Sequence, residues 1–231
     1  MWNDHISASL ICMDQLNLNR DMTTLVSQGI YKFHADFMDS TFVPRLGITP
    51  EVIKQLKQNW EIEIDSHLMM KNPERCIDVI APYSNWITLH YEALEDPLKT
   101  VQIIKNNYDC KVALAFNVLT DIPDELWFCN DIDGILLMGI SPGVLGSKTY
   151  EETIIRKLLK CKDHTYTKNI FVDGAVNFNS IKKYFKIPEI NLITICGSST
   201  LFKEVDFSHN YGIREQVMKR NIAELEKCIQ L

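Results

Sequence analysis

The sequence predicts an α/β protein of the (β/α)8 TIM-barrel class. Eight short apolar runs follow one another at intervals of roughly 22 to 36 residues, about the length of one strand–helix unit, and the segments between them have helical patterns. An open doubly wound sheet is the alternative, but it usually has fewer strands. We expect residues 1–231 to form a single barrel domain.

The eight runs are assigned to strands because they are short and rich in strand-forming residues. In chain order they are ISASLIC, YKFHADFMD, IEIDSHLMM, WITLHYEA, VALAFNV, GILLMGI, NIFVDGAV and LITICGS. We expect a helix after each of them. Three helix starts are marked by a capping residue before a proline, at Thr49, Asn72 and Asp96. The last segment, GIREQVMKRNIAELEKCIQ, has the pattern of a long amphipathic helix.

Composition excludes several classes of protein. The chain has 30 acidic and 24 basic residues, a net charge of −6, which disfavours a nucleic-acid-binding protein. It has no apolar stretch long enough to span a membrane and no visible secretory signal. Its seven cysteines are scattered without a C-x-x-C pair, which disfavours a disulfide framework. We therefore expect a cytoplasmic protein without nucleic-acid or membrane partners.

Ionisable side chains occur in three of the predicted strands. Alternation along a strand places His34 and Asp36 on one face of the second run. His67 lies in the third run and Asp173 ends the seventh. In a barrel these four would converge at one mouth, where two imidazoles and two carboxylates suit zinc, manganese, iron or cobalt. A buried hydrogen-bond network of His and Asp without a metal is the alternative. We expect Asp65 to support the four residues from behind.

Glycines cluster at the predicted ends of the sixth, seventh and eighth strands. This corner of a barrel commonly holds a phosphate through backbone N–H groups, and glycine allows the backbone to approach the anion closely. Ordinary turn glycines are the alternative. The five residues are Gly139, Gly143, Gly146, Gly174 and Gly197.

Seven motifs in the same order make the chain resemble the ribulose-phosphate 3-epimerase family from about Ile6 to Phe202. They are ISASLICMD, HADFMDSTFVP, DSHLMMKNPE, ITLHYEA, LLMGISPG, VDGAV and CGSSTLF. The resemblance implies a barrel of the ribulose-phosphate-binding type. It also implies an isomerase of the pentose phosphate pathway that epimerises D-ribulose 5-phosphate to D-xylulose 5-phosphate.

The resemblance also implies the chemistry of the site. Asp36 and Asp173 match an acid–base pair that moves protons at C3 through a metal-stabilised enediolate. Together with His34 and His67 they match the ligands of one divalent ion. The implied substrate-binding residues are Ser9, Met38, His67, Met69, Met138, Gly143, Val144, Leu145, Gly146, Gly174, Ala175, Gly197 and Ser198. His90 matches a family position, but we expect it to be structural.

The chain departs from the family pattern around the mouth of the site. Ser40 and Ala175 stand where glycine is usual, Leu145 interrupts the glycine-rich loop, and Arg45 replaces an asparagine. Two alternatives to the pentulose reaction follow. The segments SLICMD and GSSTLF resemble the D-allulose-6-phosphate 3-epimerase branch, whose reaction yields D-fructose 6-phosphate. The lost glycines also suit a non-catalytic sugar-phosphate-binding paralog. The resemblance further implies a homo-oligomer, a dimer or a hexamer.

Overall fold

Eight parallel strands close into a barrel in the computed structural model, which describes residues 1–144 and 147–230. Each strand pairs with its sequence neighbours, and the last strand pairs with the first. The predicted fold class is therefore confirmed. The strands are β1 (Ile6–Ser9), β2 (Lys32–Met38), β3 (Glu63–Met69), β4 (Trp86–His90), β5 (Lys111–Phe116), β6 (Gly134–Met138), β7 (Asn169–Asp173) and β8 (Asn191–Cys196).

Helices on the outside of the barrel follow most of the strands. Within the described residues they are α1 (Leu18–Ser27), α2 (Pro50–Asn59), α3 (Ile77–Ile80), α4 (Pro97–Asn107), α5 (Glu151–Asp163), α6 (Phe178–Tyr184) and α7 (Tyr211–Ile229). None of the helices described is both long and apolar enough to cross a membrane.

The expectation of a full helix after every strand is wrong at two places. After β5 the structure has only the 3-10 turn Asp124–Leu126, where Pro123 lacks an N–H and the buried Leu126 and Trp127 cover the core instead. After β3 the helix is divided into 3-10 turns on either side of the four-residue α3, because Pro82 again removes a backbone donor.

The three predicted capping residues behave differently. Asp96 caps α4, since its carboxylate accepts a hydrogen bond from the Lys99 N–H at 3.1 Å. Thr49 precedes α2 and Asn72 precedes a 3-10 turn, but neither side chain makes a capping hydrogen bond. The backbone of Asn72 is left-handed, with φ of 59°, so it lacks the extended geometry of a capping residue.

The core has two layers. Phe33, Ala35 and Phe37 of β2 belong to the main apolar layer between the barrel and its helices. A second apolar cluster, which includes Trp86, Leu136 and Phe171, fills part of the barrel itself. The alternating residues of β2 and β3 face the barrel interior, and most of them are polar. The ionisable groups of β2 and β3 therefore face an apolar cluster built from β4 to β8.

Candidate metal centre and active site

Strand register brings the predicted ionisable residues to one level of the barrel. In the β2–β3 pair, His34 lies beside Asp65 and Asp36 lies beside His67. Asp173 ends β7 beside Met138 of β6. One ligand atom from each of His34, Asp36, His67 and Asp173 lies within 4.8 Å of the others. The predicted convergence of these four residues is confirmed.

The spacing of the donor atoms fits a divalent ion. His34 Nε2 lies 3.1 Å from Asp36 Oδ1 and 3.9 Å from Asp173 Oδ2. His67 Nδ1 lies 3.4 Å and 3.7 Å from the same two oxygens. Two atoms that are each about 2.1 Å from a tetrahedral ion lie about 3.4 Å apart. The four donors could therefore ligate one ion with small adjustments.

The hydrogen bonds around the cluster support the same interpretation. Asp65 holds the Nδ1 side of His34 and itself accepts a hydrogen bond of 2.5 Å from the Ser7 hydroxyl. His67 Nδ1 is buried, faces the two carboxylates and has no hydrogen-bond partner among the described residues. A metal-free hydrogen-bond network would leave this nitrogen unpaired, whereas an ion would use its lone pair.

Burial and charge act in opposite directions on the titration of the cluster. Burial disfavours the charged form of His34, but Asp65 and Asp36 outweigh it and hold the pKa of His34 well above its usual value. Burial opposes the ionised form of Asp36 as well, yet His34 and His67 lower the pKa of this carboxyl. At Asp173, burial and the charge of Asp36 raise the pKa. The two carboxylates therefore sit in different environments.

A cavity of about 210 Å³ opens above the cluster. Arg45 also lines it, from the loop after β2. Most of the residues predicted to contact substrate lie in its wall. They are Ser9, Met38, Met69, Met138, Gly143, Val144, Gly174, Ala175, Gly197 and Ser198, together with Asp36 and Asp173. His67 is fully buried beneath the wall, and Leu145 and Gly146 lie outside the described residues.

The glycine corner, where Gly143, Gly174 and Gly197 follow β6, β7 and β8, has left-handed backbone and close contacts between loops. Gly143 and Gly174 have φ of 69° and 74°, and Ala175 shares this left-handed conformation with φ of 53°. A Cβ at Gly197 would lie 2.9 Å from the sulfur of Cys12. These positions leave the backbone close to the cavity at the ends of β6, β7 and β8.

Sequence reasoning missed several contributors to the site. Cys12, Ile140 and Asn177 line the cavity, but each follows its strand in a loop whose course the alternation pattern does not predict. His90 and Glu92 form a contact chain to His67. The only sequence signal for this chain was the spacing of two ionisable residues at the end of β4.

Solved structures of other barrel enzymes share this fold at low sequence identity. Orotidine 5′-monophosphate decarboxylase from Methanocaldococcus jannaschii matches with a TM-score of 0.61 and 14% identity, covering 96% of this chain and 98% of that one. A phosphoribosylanthranilate isomerase from Thermotoga maritima matches with a TM-score of 0.58 and 16% identity, covering 95% and 98%. These similarities support the fold alone.

Sequence relatives are more specific. The ribulose-phosphate 3-epimerase of Escherichia coli strain K12 is 35% identical over 182 residues, which cover 76% of this chain and 80% of that protein. The protein of the same name from Helicobacter pylori is 26% identical over 206 residues, which cover 87% and 92%. The model of the ribulose-phosphate 3-epimerase family matches residues 5–199. Since this match spans most of the barrel and both aspartates of the cluster, the chain belongs to the ribulose-phosphate 3-epimerase family.

Proposed function

We propose that this protein is an isomerase that interconverts D-ribulose 5-phosphate and D-xylulose 5-phosphate by inversion at C3. The observation that carries the proposal is the pair of carboxylates Asp36 and Asp173. They come from strands β2 and β7, reach the same cavity, and have oxygens within 4.8 Å of each other. The 35% identity to a named ribulose-phosphate 3-epimerase supports the same reaction.

Inversion at C3 of a 2-ketose needs two proton transfers on opposite faces. One carboxylate removes the proton next to the carbonyl, and the other delivers a proton from the opposite side. In one direction of the reaction Asp36 acts as base and Asp173 as acid, and in the reverse direction these roles exchange. Because both carboxylates are held in one cavity with the sugar between them, each proton transfer occurs between groups that are already oriented.

The four residues of the cluster, His34, Asp36, His67 and Asp173, would hold one ion of zinc, iron, manganese or cobalt. Such an ion, when bound, would supply Lewis-acid stabilisation of the negative charge that develops on the substrate oxygens. Met38, Met69 and Met138 give the cavity an uncharged wall that supplies no competing proton. These roles follow from the family resemblance together with the donor geometry.

We propose that the substrate phosphate lies at the glycine corner, away from the two carboxylates. Gly143, Gly174 and Gly197 line the cavity there, and backbone N–H groups near glycine can approach an anion. Val144, Ala175 and Ser198 complete this wall. Anchoring the phosphate at a distance from C3 would orient the reacting carbon.

One observation favours a second substrate. Cys12 lines the cavity and packs against Gly197, in the segment SLICMD that resembles the D-allulose-6-phosphate 3-epimerase branch. A hexulose phosphate would undergo the same proton transfers, with one more carbon between C3 and the phosphate. The two substrates therefore differ in how the cavity binds them and not in the chemistry.

Proton exchange measured by NMR in D2O tests the proposal. Each ketose phosphate is incubated separately with the metal-loaded enzyme, and we expect epimerisation with deuterium appearing at C3. Asp36→Asn and Asp173→Asn should each abolish inversion, and exchange retained on a single face would identify a two-base mechanism. The bound metal is quantified in both variants, and Asp163→Asn, on the exposed end of α5, serves as the control.

The outcomes of this experiment separate the candidates. Faster conversion of one sugar phosphate names the substrate. Binding of both sugar phosphates with no exchange, in a protein that holds its metal, would replace the epimerase proposal with a non-catalytic sugar-phosphate-binding paralog.

We also propose that the protein acts in the cytoplasm as a homo-oligomer, a dimer or a hexamer, built from one barrel domain per chain. The free thiols of all seven cysteines agree with a reducing compartment. Light scattering of the purified protein would measure its oligomeric state directly.

A further inference from the structure

His67 is held by a chain of two side chains, the buried His90 and the partly exposed Glu92, that no step of the proposed reaction uses. Its Nε2 lies 3.0 Å from Nε2 of His90, and the two rings stack with centroids 5.0 Å apart. Nδ1 of His90 lies 3.3 Å from Oε2 of Glu92. Both imidazoles are completely buried, and the ring of Phe42 covers His90 at 4.9 Å.

Glu92 is itself fixed at the end of β5. Its Oε1 accepts a hydrogen bond of 2.8 Å from the backbone N–H of Asn117. The carbonyl of Asn117 in turn accepts a hydrogen bond of 2.8 Å from Nζ of Lys157, which is 1% exposed. The carboxylate therefore cannot turn away from His90 without losing a backbone donor, and a buried cation lies nearby to offset its charge.

The contacts along this chain favour one arrangement of its hydrogens. A carboxylate only accepts, so Nδ1 of His90 must carry a hydrogen. With its hydrogen on Nδ1, His90 offers the lone pair of Nε2, which accepts the hydrogen on Nε2 of His67 across 3.0 Å. Nε2 of His67 then carries the hydrogen of that ring, and Nδ1 keeps a free lone pair.

That lone pair points at the cluster. Nδ1 of His67 lies 3.4 Å from Asp36 and 3.7 Å from Asp173, and it has no hydrogen-bond partner among the described residues. A metal ligand needs this tautomer, because a protonated nitrogen cannot bind an ion.

We infer that His90 and Glu92 are positioning residues that lock His67 into its metal-binding tautomer through a Glu92–His90–His67 hydrogen-bond chain. The inference rests on the proposed metal centre but not on the identity of the substrate. The hydrogen-bond chain orients the ring of His67, as the direct contact with Asp65 orients the ring of His34. On the Nε2 side of His67 the hydrogen-bond partner is the imidazole of His90, and this second ring connects His67 to the carboxylate of Glu92.

Metal affinity is the first test. Cobalt(II) is titrated into metal-free protein in competition with a chelator, and its visible spectrum reports the ligand set. We expect His90→Phe and Glu92→Ala to weaken binding about 10- to 100-fold, the usual effect of removing a group that orients a ligand. Glu92→Gln keeps an acceptor oxygen and should restore part of the loss.

The control variant is Ser66→Ala, which removes a buried hydrogen bond to Ser84 from the opposite face of the same strand. It should lower the melting temperature without changing the cobalt affinity. If the three chain variants lose stability but bind cobalt as tightly as wild type, His90 and Glu92 are only structural and the inference is wrong. If the wild type binds no cobalt, it is wrong as well.

The tautomer can be observed without any substitution. In zinc-loaded protein with ¹⁵N-labelled histidine, two-bond correlations should show hydrogens on Nε2 of His67 and on Nδ1 of His90. A hydrogen on Nδ1 of His67 would overturn the inference. Epimerase activity is assayed separately, so a protein with the expected tautomers but no activity would reject the proposed function and leave this inference intact.

Discussion

Ser40 follows β2 in a conformation that suits glycine better than serine. Its φ is 60°, in the left-handed region, and its N–H donates a hydrogen bond of 3.0 Å to the carbonyl of Arg45. A residue with a Cβ is destabilised by about 1–2 kcal/mol in this region. Part of this cost is offset because serine loses less backbone entropy than glycine when the chain folds. We predict that Ser40→Gly raises the free energy of unfolding by about 1 kcal/mol, measured by urea denaturation.

The matched control for this change is Ser27→Gly in helix α1, where the backbone is helical and the side chain is exposed. There the same substitution should destabilise the protein by about 0.5–1 kcal/mol. Equal effects at the two positions would show that the left-handed backbone of Ser40 carries no strain.

Arg45 brings a positive charge to a cavity that receives an anion in the proposed function. Its side chain is half-buried in the cavity wall and makes no ion pair within residues 1–144 and 147–230. A hydrogen bond to a charged group contributes about 1.5–3 kcal/mol. We therefore predict that Arg45→Asn raises KM for the ketose phosphate about 10- to 100-fold, with a smaller effect on kcat.

Steady-state kinetics check this prediction, with inorganic phosphate as a competitive inhibitor. Arg45→Lys should recover part of the affinity, because it keeps the charge but loses the planar fork. The control is Arg75→Asn, which removes the same charge from an exposed position in the turn after β3. An unchanged KM in Arg45→Asn would exclude a contact with the substrate anion.

The cluster of four candidate ligands could be predicted because each residue lies in a strand, where alternation fixes the face and parallel pairing fixes the level. His34 and Asp36 share a face for that reason, and their neighbours on β3 follow from the register. The role of His90 could not be predicted in this way. It depends on which ring nitrogen of His67 faces the barrel centre, and neither alternation nor strand register determines that rotamer.

Helix α7 is joined to the loop after β1 by a buried ion pair. Nη1 of Arg214 lies 2.7 Å from Oδ2 of Asp14, with side chains that are 4% and 12% exposed. Asp21, fully buried on α1, accepts a hydrogen bond from the N–H of Asp14. The pair therefore connects the last helix to the first strand–helix unit, across the point where the barrel closes.

We predict that Arg214→Met lowers the free energy of unfolding by about 3 kcal/mol at neutral pH, because the mostly buried carboxylate of Asp14 loses its cation and is left with hydrogen bonds from Leu16 and Asn17. The hydrogen bond from Arg214 lowers the pKa of Asp14 below its ordinary value of 3.8. The stability that it contributes is thus present above that value and is lost as the pH falls through the lowered pKa. Burial raises the pKa of Asp21, so protonation in acid removes the cost of burying its charge. That cost is larger in Arg214→Met, which lacks the positive charge of the arginine.

Protonation of Asp14 and protonation of Asp21 both reduce the stability difference between wild type and Arg214→Met. The stability difference between wild type and Arg214→Met should be constant from about pH 7 to pH 5 and should narrow below about pH 4. Urea denaturation across this range measures it. Arg220→Met, on the same helix, removes an exposed pair with Glu204 and should cost about 0–1 kcal/mol with little pH dependence. If the stability difference between wild type and Arg214→Met widened in acid, the ion pair with Asp14 would not be what stabilises the wild type.

The order of strands and helices was predictable for most of the chain, because apolar runs of strand length alternate with helical patterns. The connection after β5 was not. Its residues 117–133 contain enough apolar side chains to suggest a helix, and Leu126 and Trp127 are indeed buried. They cover the core with only the hydrogen bonds of a 3-10 turn, so the hydrophobic pattern alone does not distinguish this turn from an α-helix.

At the scale of the whole molecule, the candidate metal site links distant parts of the chain. Its ligands come from β2, β3 and β7, and β8 pairs with β1 to close the barrel between them. The unfolded chain does not hold these four residues together, so an ion that binds the native state stabilises the entire barrel. At a free ion concentration of 100 times Kd, the gain is about 2.7 kcal/mol.

Without an ion, the carboxylates of Asp36 and Asp173 repel each other, because they have oxygens within 4.8 Å of each other. Asp173→Asn keeps the shape of the side chain and removes one charge. We predict that in EDTA this variant is more stable than wild type by about 1 kcal/mol, whereas with saturating zinc or cobalt it is less stable. Thermal unfolding of both proteins under both conditions measures the reversal. A constant difference between them, with or without metal, would mean that Asp173 does not take part in binding the ion, since the loss of a ligand reduces the stability that the metal adds.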